Sequence, residues 1–404
     1  MEIWKRNLYV CWFGVLATSA GVSQLAPVLP LYIGQLGEFS LPEIEQWAGI
    51  SYGVTFICMA AFAPLWGRAA DKYGRKPMLL RASLGMAIVI TAMAFVQNVY
   101  QLVGLRLLQG TISGFYSGAI TLIATQTPRE QAGWALGTLS TGAVAGMLLG
   151  PLFGGYLAAI AGIRSNFIAI GVLLLIAFFA SLFFVQEQFT ASDRPTLNLS
   201  ELWQRLPQPQ VTAAMFVTTL VMQMGLMSIQ PIITVYVDQL PATGTDVALM
   251  SGMIFSASGL ASILAAPRLG RLADRIGPQK IMPAALLAAA LLFIPQAIVD
   301  NPWQLMGLRF LLGIATAGLL PSINSLVRQL TPDEFAGRIY GYNQSAQFIG
   351  SFAGALLGGT VAAWLGIHYV FYLTSGLLLL NAVWVYKMVC PVSPAERNSL
   401  SCHR

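Results

Sequence analysis

Two arginines, Arg106 and Arg309, stand inside apolar runs of this 404-residue chain, LVGLRLLQG at 102–110 and QLMGLRFLLG at 304–313. A guanidinium stays charged at any working pH and presents its donors as a flat fork. At hydrocarbon depth it needs an anion, an amide or backbone carbonyls, and such residues turn toward the interior of a helix bundle. Two acids form a second pair, Asp71 in GRAADKYGRK and Asp274 in GRLADRIGPQK. Asp71 lies among Arg68, Lys72, Arg75 and Lys76. Its carboxylate can hold a cation in one arrangement and a helix amino terminus in another, which is the chemistry of a reversible latch.

The parts for bond-making chemistry are missing. No two glycines are spaced G-x-G, no GK[ST] phosphate loop occurs, and the two histidines, His368 and His403, cannot form an HExxH metal site. A Ser or Cys nucleophile therefore lacks its usual activating base. The sequence points to no enzyme, no metal site and no organic cofactor.

These groups occur in twos because the chain contains its own pattern twice. Gly67, Asp71, Gly74, Arg106 and Gly110 recur 203 residues later as Gly270, Asp274, Gly277, Arg309 and Gly313. After a one-residue slip, Gly137, Gly146, Gly150, Gly154 and Gly155 recur as Gly341, Gly350, Gly354, Gly358 and Gly359. Upstream, Pro27 and Tyr32 match Pro231 and Tyr236. So long a period is too great for a solenoid and marks a duplicated half.

Composition says what the halves are made of. The chain is 56% hydrophobic and 9% charged, with a mean hydropathy of +0.69, against about 25% charged residues in soluble domains. This is an all-α integral membrane protein. Runs such as 167–185 and 281–299 carry no ionisable group over lengths that cross about 30 Å of hydrocarbon. Twelve such segments are expected, starting near residues 7, 46, 78, 100, 134, 164, 211, 246, 281, 303, 338 and 367. With both termini in the cytoplasm, every Lys and Arg but Arg106, Arg164 and Arg309 falls on the inner side, as positive-inside bias demands. The +6 net charge is therefore sidedness and implies no nucleic acid partner. Glu38, Glu43, Glu45, Asp238, Asp246 and Asp300 face outward, and all 16 acids lie in loops or at helix ends. The expected units are residues 1–186 and 211–390, joined by a polar linker at 187–210 and followed by a tail at 391–404.

The helices must position the latch and the arginines. In the fourth, Ser113 and Ser117 extend the face of Arg106 as a polar stripe. In the fifth, Gly142, Gly146, Gly150 and Gly154 form a one-turn ladder that admits a neighbouring backbone, and Pro151 marks a kink. The eleventh repeats the later glycines but carries Ala355 in place of the proline.

Together these residues resemble the major facilitator superfamily, and within it the twelve-helix drug:proton antiporters. GRAADKYGRK is similar to the superfamily's GxxxDRxGRR turn, with Lys72 and Lys76 for Arg. Gly21, Pro27, Val28 and Pro30 fit its GxxxxxPVxP pattern, and Leu102, Arg106, Gln109 and Gly110 fit LxxxRxxQG. Gly137, Gly146, Gly150, Pro151, Gly154 and Gly155 fit the pattern that marks exporters. The resemblance covers nearly the whole chain. It implies a major facilitator fold, two pseudo-symmetric six-helix bundles around a cavity lined by helices 1, 4, 7 and 10. It also implies a multidrug efflux transporter of the bacterial cytoplasmic membrane, a functional monomer exchanging small amphiphiles for protons by rocker-switch alternating access, with the proton gradient in place of a cofactor. An exporter of a single metabolite and a non-transporting sensor are the alternative readings.

On that resemblance Asp71, Arg75, Arg106, Asp274 and Arg309, with Gly146, Gly150, Pro151 and Gly154, are candidates for gating and coupling. Gln24, Tyr52, Phe56, Tyr116, Met222, Gln223, Met227, Asn343, Gln347 and Phe348 are candidates for substrate contact, methionine because it repacks around unlike ligands. Many relatives carry an acid within helix 1, 4 or 7, and this chain does not. Proton coupling would then fall to Asp71 or the outer rim near Asp238. Two membrane-depth arginines without a matching carboxylate favour neutral, zwitterionic or anionic amphiphiles over permanent cations.

Overall fold

The computed structural model describes residues 2–128, 130–187, 189, 203, 206–241, 244, 246–331 and 336–389. The tail at 391–404 and most of the linker lie outside the described residues. Among the described residues, eleven helices are long and apolar enough to cross a membrane, twelve when one bent pair is taken as a single span.

Spans 1, 4, 7 and 10 are each made of two helices. They are α1 (Ile3–Ser23) with α2 (Leu25–Gln35), α5 (Val99–Ile112) with α6 (Phe115–Gln126), α9 (Pro209–Ser228) with α10 (Ile233–Gln239), and α13 (Pro302–Thr316) with α14 (Leu319–Leu330). The first pair bends by 42° at Gln24. The second breaks at Gly114, where φ is +127° and a side chain would be strained. That break overturns the continuous stripe expected in span 4: Arg106 is buried in α5, whereas Ser117 lies beyond the break and is exposed.

The other spans are single helices: α3 (Leu41–Tyr73), α4 (Arg75–Met93), α7 (Ala132–Ala161), α8 (Ile163–Phe184), α11 (Val247–Ile276), α12 (Pro278–Gln296), α15 (Ala336–Leu365) and α16 (Ile367–Val389). Helix α7 continues through Pro151. Local chemistry repeats between the halves. Asn98 caps α5 by accepting from Gln101 N at 3.0 Å, and Asn301 caps α13 by accepting from Gln304 N at 2.9 Å. Gly74 and Gly277, both at φ +93°, end α3 and α11 and let the chain turn straight into the next helix.

Each half has its own apolar packing. One cluster gathers residues of spans 7 to 12 around Tyr236, Phe293 and Phe371. Two others fill spans 1 to 6, around Tyr32 and Phe167 and around Leu8 and Phe115. The repeated tyrosines act as matching posts: Tyr32 donates to Met93 O at 2.7 Å and Tyr236 to Gln296 O at 2.9 Å.

The halves meet on the face opposite the amino terminus, called here the far face. Gly49 of α3 lies against Ala355 O and Gly359 of α15, and Gly252 of α11 lies against the backbone of Pro151 and Gly155 of α7. The internal repeat equates Gly49 with Gly252 and Gly155 with Gly359, so one contact is made twice. Ser256 adds a bond to Leu148 O at 2.7 Å, and Thr234 one to Pro27 O at 3.1 Å. Toward the amino-terminal face, Gly67, Gly133, Gly137, Gly270 and Gly341 have nothing within 4 Å of where a Cβ would stand. The cross-half backbone contacts thus lie at the far face, while the opposite ends of α3 and α11 are mostly exposed, which leaves a vestibule on the amino-terminal side.

A Cβ on Gly49 would come 2.6 Å from Ala355 O and 3.0 Å from Gly359 Cα, both backbone atoms with nowhere to yield. Gly49→Val is thus expected to prop the far face open. Spin labels at the exposed Glu38 and Asp238, in a cysteine-free background, should report a longer distance than in the parent; an unchanged distance would show that the glycine contact does not set the closure.

Candidate functional site

Arg106 is 1% exposed and its fork is used against α3. Nε donates to Ser51 O at 2.9 Å, Nη2 to Tyr52 O at 3.3 Å, and Nη1 to Gln109 Oε1 at 2.5 Å. The Tyr52 ring lies 5.7 Å from the guanidinium carbon. Thr55 returns a bond to Arg106 O at 3.0 Å, and Gly110 lets α5 settle on the Thr55 carbonyl. Arg106 therefore fastens span 4 to span 2 inside the first half. Arg309 occupies the equivalent place against α11 and α12, 5% exposed, with its carbon 6.0 Å from the Phe293 ring.

The latch lies at the amino-terminal face. Arg75 Nη2 reaches Asp71 Oδ1 at 2.5 Å, a pair within one turn, so Asp71 is not engaged with the second half. Asp274 belongs to α11, and its side chain lies outside the described residues. Sequence reasoning missed the group that organises this turn. Glu187, just past span 6, accepts from Arg75 N and Lys76 N, each at 2.7 Å, and so caps α4 with a carboxylate where the helix dipole favours one. Asn7 clamps the same exit by donating to Gln186 O at 2.7 Å and accepting from Gln186 N at 3.0 Å. The signal was an acid standing alone at the end of an apolar run, opposite a basic turn.

The glycine ladder packs span 5 onto span 1. Positions for a Cβ on Gly142, Gly146, Gly150 and Gly154 come 2.7, 2.5, 2.8 and 3.0 Å from the carbonyls of Trp12, Leu16, Ala20 and Gln24. The second half repeats this, with Gly350, Gly354 and Gly358 on the carbonyls of Leu220, Met224 and Ser228. Gly155 and Gly359, the next residues, turn to the other half instead. Pro151 is buried, and its carbonyl faces Gly252.

The substrate candidates divide by exposure. Gln24 is wholly buried at the bend of span 1 and accepts from Asn166 Nδ2. Met222 lies in the second-half core, and Asn343 accepts from Thr219 at 2.8 Å. Tyr52 is buried between Arg106 and Phe56, the two rings 5.7 Å apart. Phe56, Gln223, Met227, Gln347 and Phe348 are partly open, and Tyr116 is exposed. Gln223 contacts Ser351 Oγ at 3.4 Å, and Gln347 accepts from Gln344 at 2.7 Å. Met227, from the second half, packs against a first-half core cluster. Glu45, expected to face outward, is 3% exposed in the first turn and a half of α3, where its carbonyl meets Gly359 at the seal. It is the buried acid among the described residues.

The sequence profile of the Major Facilitator Superfamily matches residues 11–250 and, overlapping, 215–401. The chain belongs to the major facilitator superfamily. It is 46% identical over 382 residues to the multidrug resistance protein MdtG of Citrobacter koseri, covering 94% of each chain. It is equally identical to the MdtG of Salmonella paratyphi C, covering 94% of this chain and 95% of that one. Solved superfamily structures share the fold at low identity. A bacterial homologue of the human lysosomal transporter Spinster aligns with a TM-score of 0.79 at 12% identity, over 96% of this chain and 97% of that one. The POT family transporter PepTSo aligns with a TM-score of 0.77 at 12% identity, over 96% and 98%. Two pseudo-symmetric bundles of transmembrane helices are thus a superfamily transporter's architecture, and its four broken spans are 1, 4, 7 and 10.

Charge-assisted hydrogen bonds of the kind Arg106 makes contribute about 1.5–3 kcal/mol each. Arg106→Ala is expected to lower the melting temperature in detergent markedly, and Arg106→Lys to recover part of it, since an ammonium cannot span the three acceptors. Equal melting of parent and Ala variant would show that Arg106 fastens nothing.

Proposed function

We propose that this protein is a secondary multidrug efflux transporter of the bacterial cytoplasmic membrane, exchanging small amphiphilic compounds for protons by rocker-switch alternating access. The observation that carries the reading is the one-sided contact between the halves: backbone on backbone at the far face, with the opposite ends of α3 and α11 mostly exposed. The named relatives are multidrug resistance proteins, and a vestibule open on the side of the amino terminus suits loading from the cytoplasm if both termini are cytoplasmic. A single copy of the chain contains both halves of the pathway, so the functional unit is a monomer, and its energy source is the proton gradient.

The partly open side chains Phe56, Gln223, Met227, Gln347 and Phe348, with Tyr52 above them, would contact substrate. They are aromatic, soft or amide groups, suited to ligands of differing shape. Asp71 would exchange its partner Arg75 for the second half when the amino-terminal face closes. Glu45, enclosed by the seal, would meet water when the far face opens, which makes it the acid through which outside pH acts on that closure.

Purified protein in proteoliposomes, with an imposed pH gradient, should move several chemically unlike dyes against their own gradients, and a protonophore should stop it. Transport of one compound alone, or none, would replace this reading. In the same assay Asp71→Asn should slow efflux at least about tenfold, the loss of one charge-assisted contact in a transition between states, while melting stays near the parent's. Full efflux in that variant would remove Asp71 from the mechanism.

A further inference from the structure

The two intramembrane arginines stand at matching places in the repeat but in opposite chemical conditions. In the first half every arm of the Arg106 fork has an acceptor, and the one side-chain acceptor is Gln109. Three residues beyond Arg309 the repeat places Leu312 where the first half has Gln109, so the amide is gone. Nε and Nη2 of Arg309 are shut away from solvent without a hydrogen-bond partner. The Phe293 ring at 6.0 Å offers a weak cation–π contact and no acceptor. Among the described residues the ion pairs are Lys5 with Glu2 and Arg75 with Asp71, so no described carboxylate serves Arg309. A buried guanidinium with unused donors strongly favours any anion that can reach it.

Its depth in the fold is set by the helix that carries it. Helix α13 enters from the far face at Pro302, and Arg309 lies about 10 Å along it at 1.5 Å per residue. Gly313, the next turn, packs on Ser258 O, and Ser256 beside it makes the cross-half bond to Leu148 O. By depth Arg309 is therefore level with the cross-half contacts of α11. Its residual 5% exposure leaves part of the fork unsealed.

We propose that Arg309 is an anion-binding point at the depth of the cross-half contacts, taking the carboxylate, sulfonate or phosphate group of an amphiphile. This rests on the efflux reading and narrows it: anionic amphiphiles bind and leave more effectively than uncharged ones of the same shape. Arg106, with its donors used, takes no part in that preference.

The test uses the full chain and a matched pair of probes, 11-(dansylamino)undecanoate and its primary amide, with fluorescence binding in detergent referenced to protein-free micelles. The parent should bind the carboxylate more tightly than the amide. Arg309→Gln should reduce the ratio of the two affinities by about tenfold, the worth of one charged hydrogen bond. Leu312→Gln leaves the arginine in place but supplies the amide that Arg106 already has, and should reduce the ratio as well. Arg309→Lys should keep part of the preference, and melting temperatures identify any variant that has merely lost its fold. Equal affinity for both probes in the parent, or a preference untouched in Arg309→Gln and Leu312→Gln alike, overturns the proposal. Export of the amide, measured in proteoliposomes, separates the two claims. If the amide leaves and the carboxylate has no advantage, the anion site fails and efflux stands; if neither probe leaves, efflux fails.

Discussion

Helices that share a bilayer gain nothing from the hydrophobic effect by associating, because lipid tails are as apolar as the side chains they replace. What holds them is close packing, and the closest packing puts one backbone on another. Carbonyls of Trp12, Leu16, Ala20 and Gln24, four residues apart along span 1, each meet a glycine of span 5. Any Cβ there would stand 3.0 Å or less from a backbone atom, so the ladder is a condition of the two helices touching at all. Successive residues on a helix point about 100° apart. Gly154 can therefore settle on its own half while Gly155 reaches the other, and one helix carries both the contact within a half and the contact between halves.

Duplication makes the architecture, and the departures from it make the two halves chemically unlike. The seal is symmetric: Gly49 on Gly359 and Gly252 on Gly155 are one contact written twice. The polar chemistry is not. Gln109 becomes Leu312, and whereas one arginine has an acceptor for each arm, its twin has two buried nitrogens without a hydrogen bond. Pro151 becomes Ala355. Glu45, at the seal, is matched by Ala248. Asn7 and Glu187 tie the first half at the amino-terminal face by bonds of 2.6–3.0 Å.

The parts legible in the sequence were those that depend on spacing or on bulk composition. Helix starts expected near 100, 303 and 367 fall at Val99, Pro302 and Ile367, because caps and apolar runs are local signals. The membrane class followed from composition and the apolar runs, the duplicated halves from the repeat, and the major facilitator fold from the resemblance of the motifs. The break at Gly114 was hidden, since glycine in a membrane helix is more often a packing residue than a positive-φ turn. The burial of Glu45 was hidden too. Its neighbour Gly359 is more than 300 residues away in the chain, and only the closed arrangement of the halves covers it. Gly49 and Gly252 were within reach, since they stand 203 residues apart like the other matched pairs, but a lone glycine in each segment carries no pattern until its partner is known.

A transporter must fasten its halves internally more firmly than to each other, or the wrong contacts would break. Within the first half, Arg106 binds two α3 carbonyls, Tyr32 binds Met93 O and Glu187 caps α4, so several elements are linked by charged or buried bonds. Across the halves the described polar bonds are those of Thr234 and Ser256, neutral hydroxyls donating to carbonyls. A neutral bond contributes about 1 kcal/mol net, and helix carbonyls already bonded within their own helix lose little when a second donor leaves. The glycine contacts separate without exposing an unsatisfied polar group or a large side chain. The contact between the halves is thereby close but held by weaker bonds than those inside the first half, which is the arrangement the proposed alternating access requires.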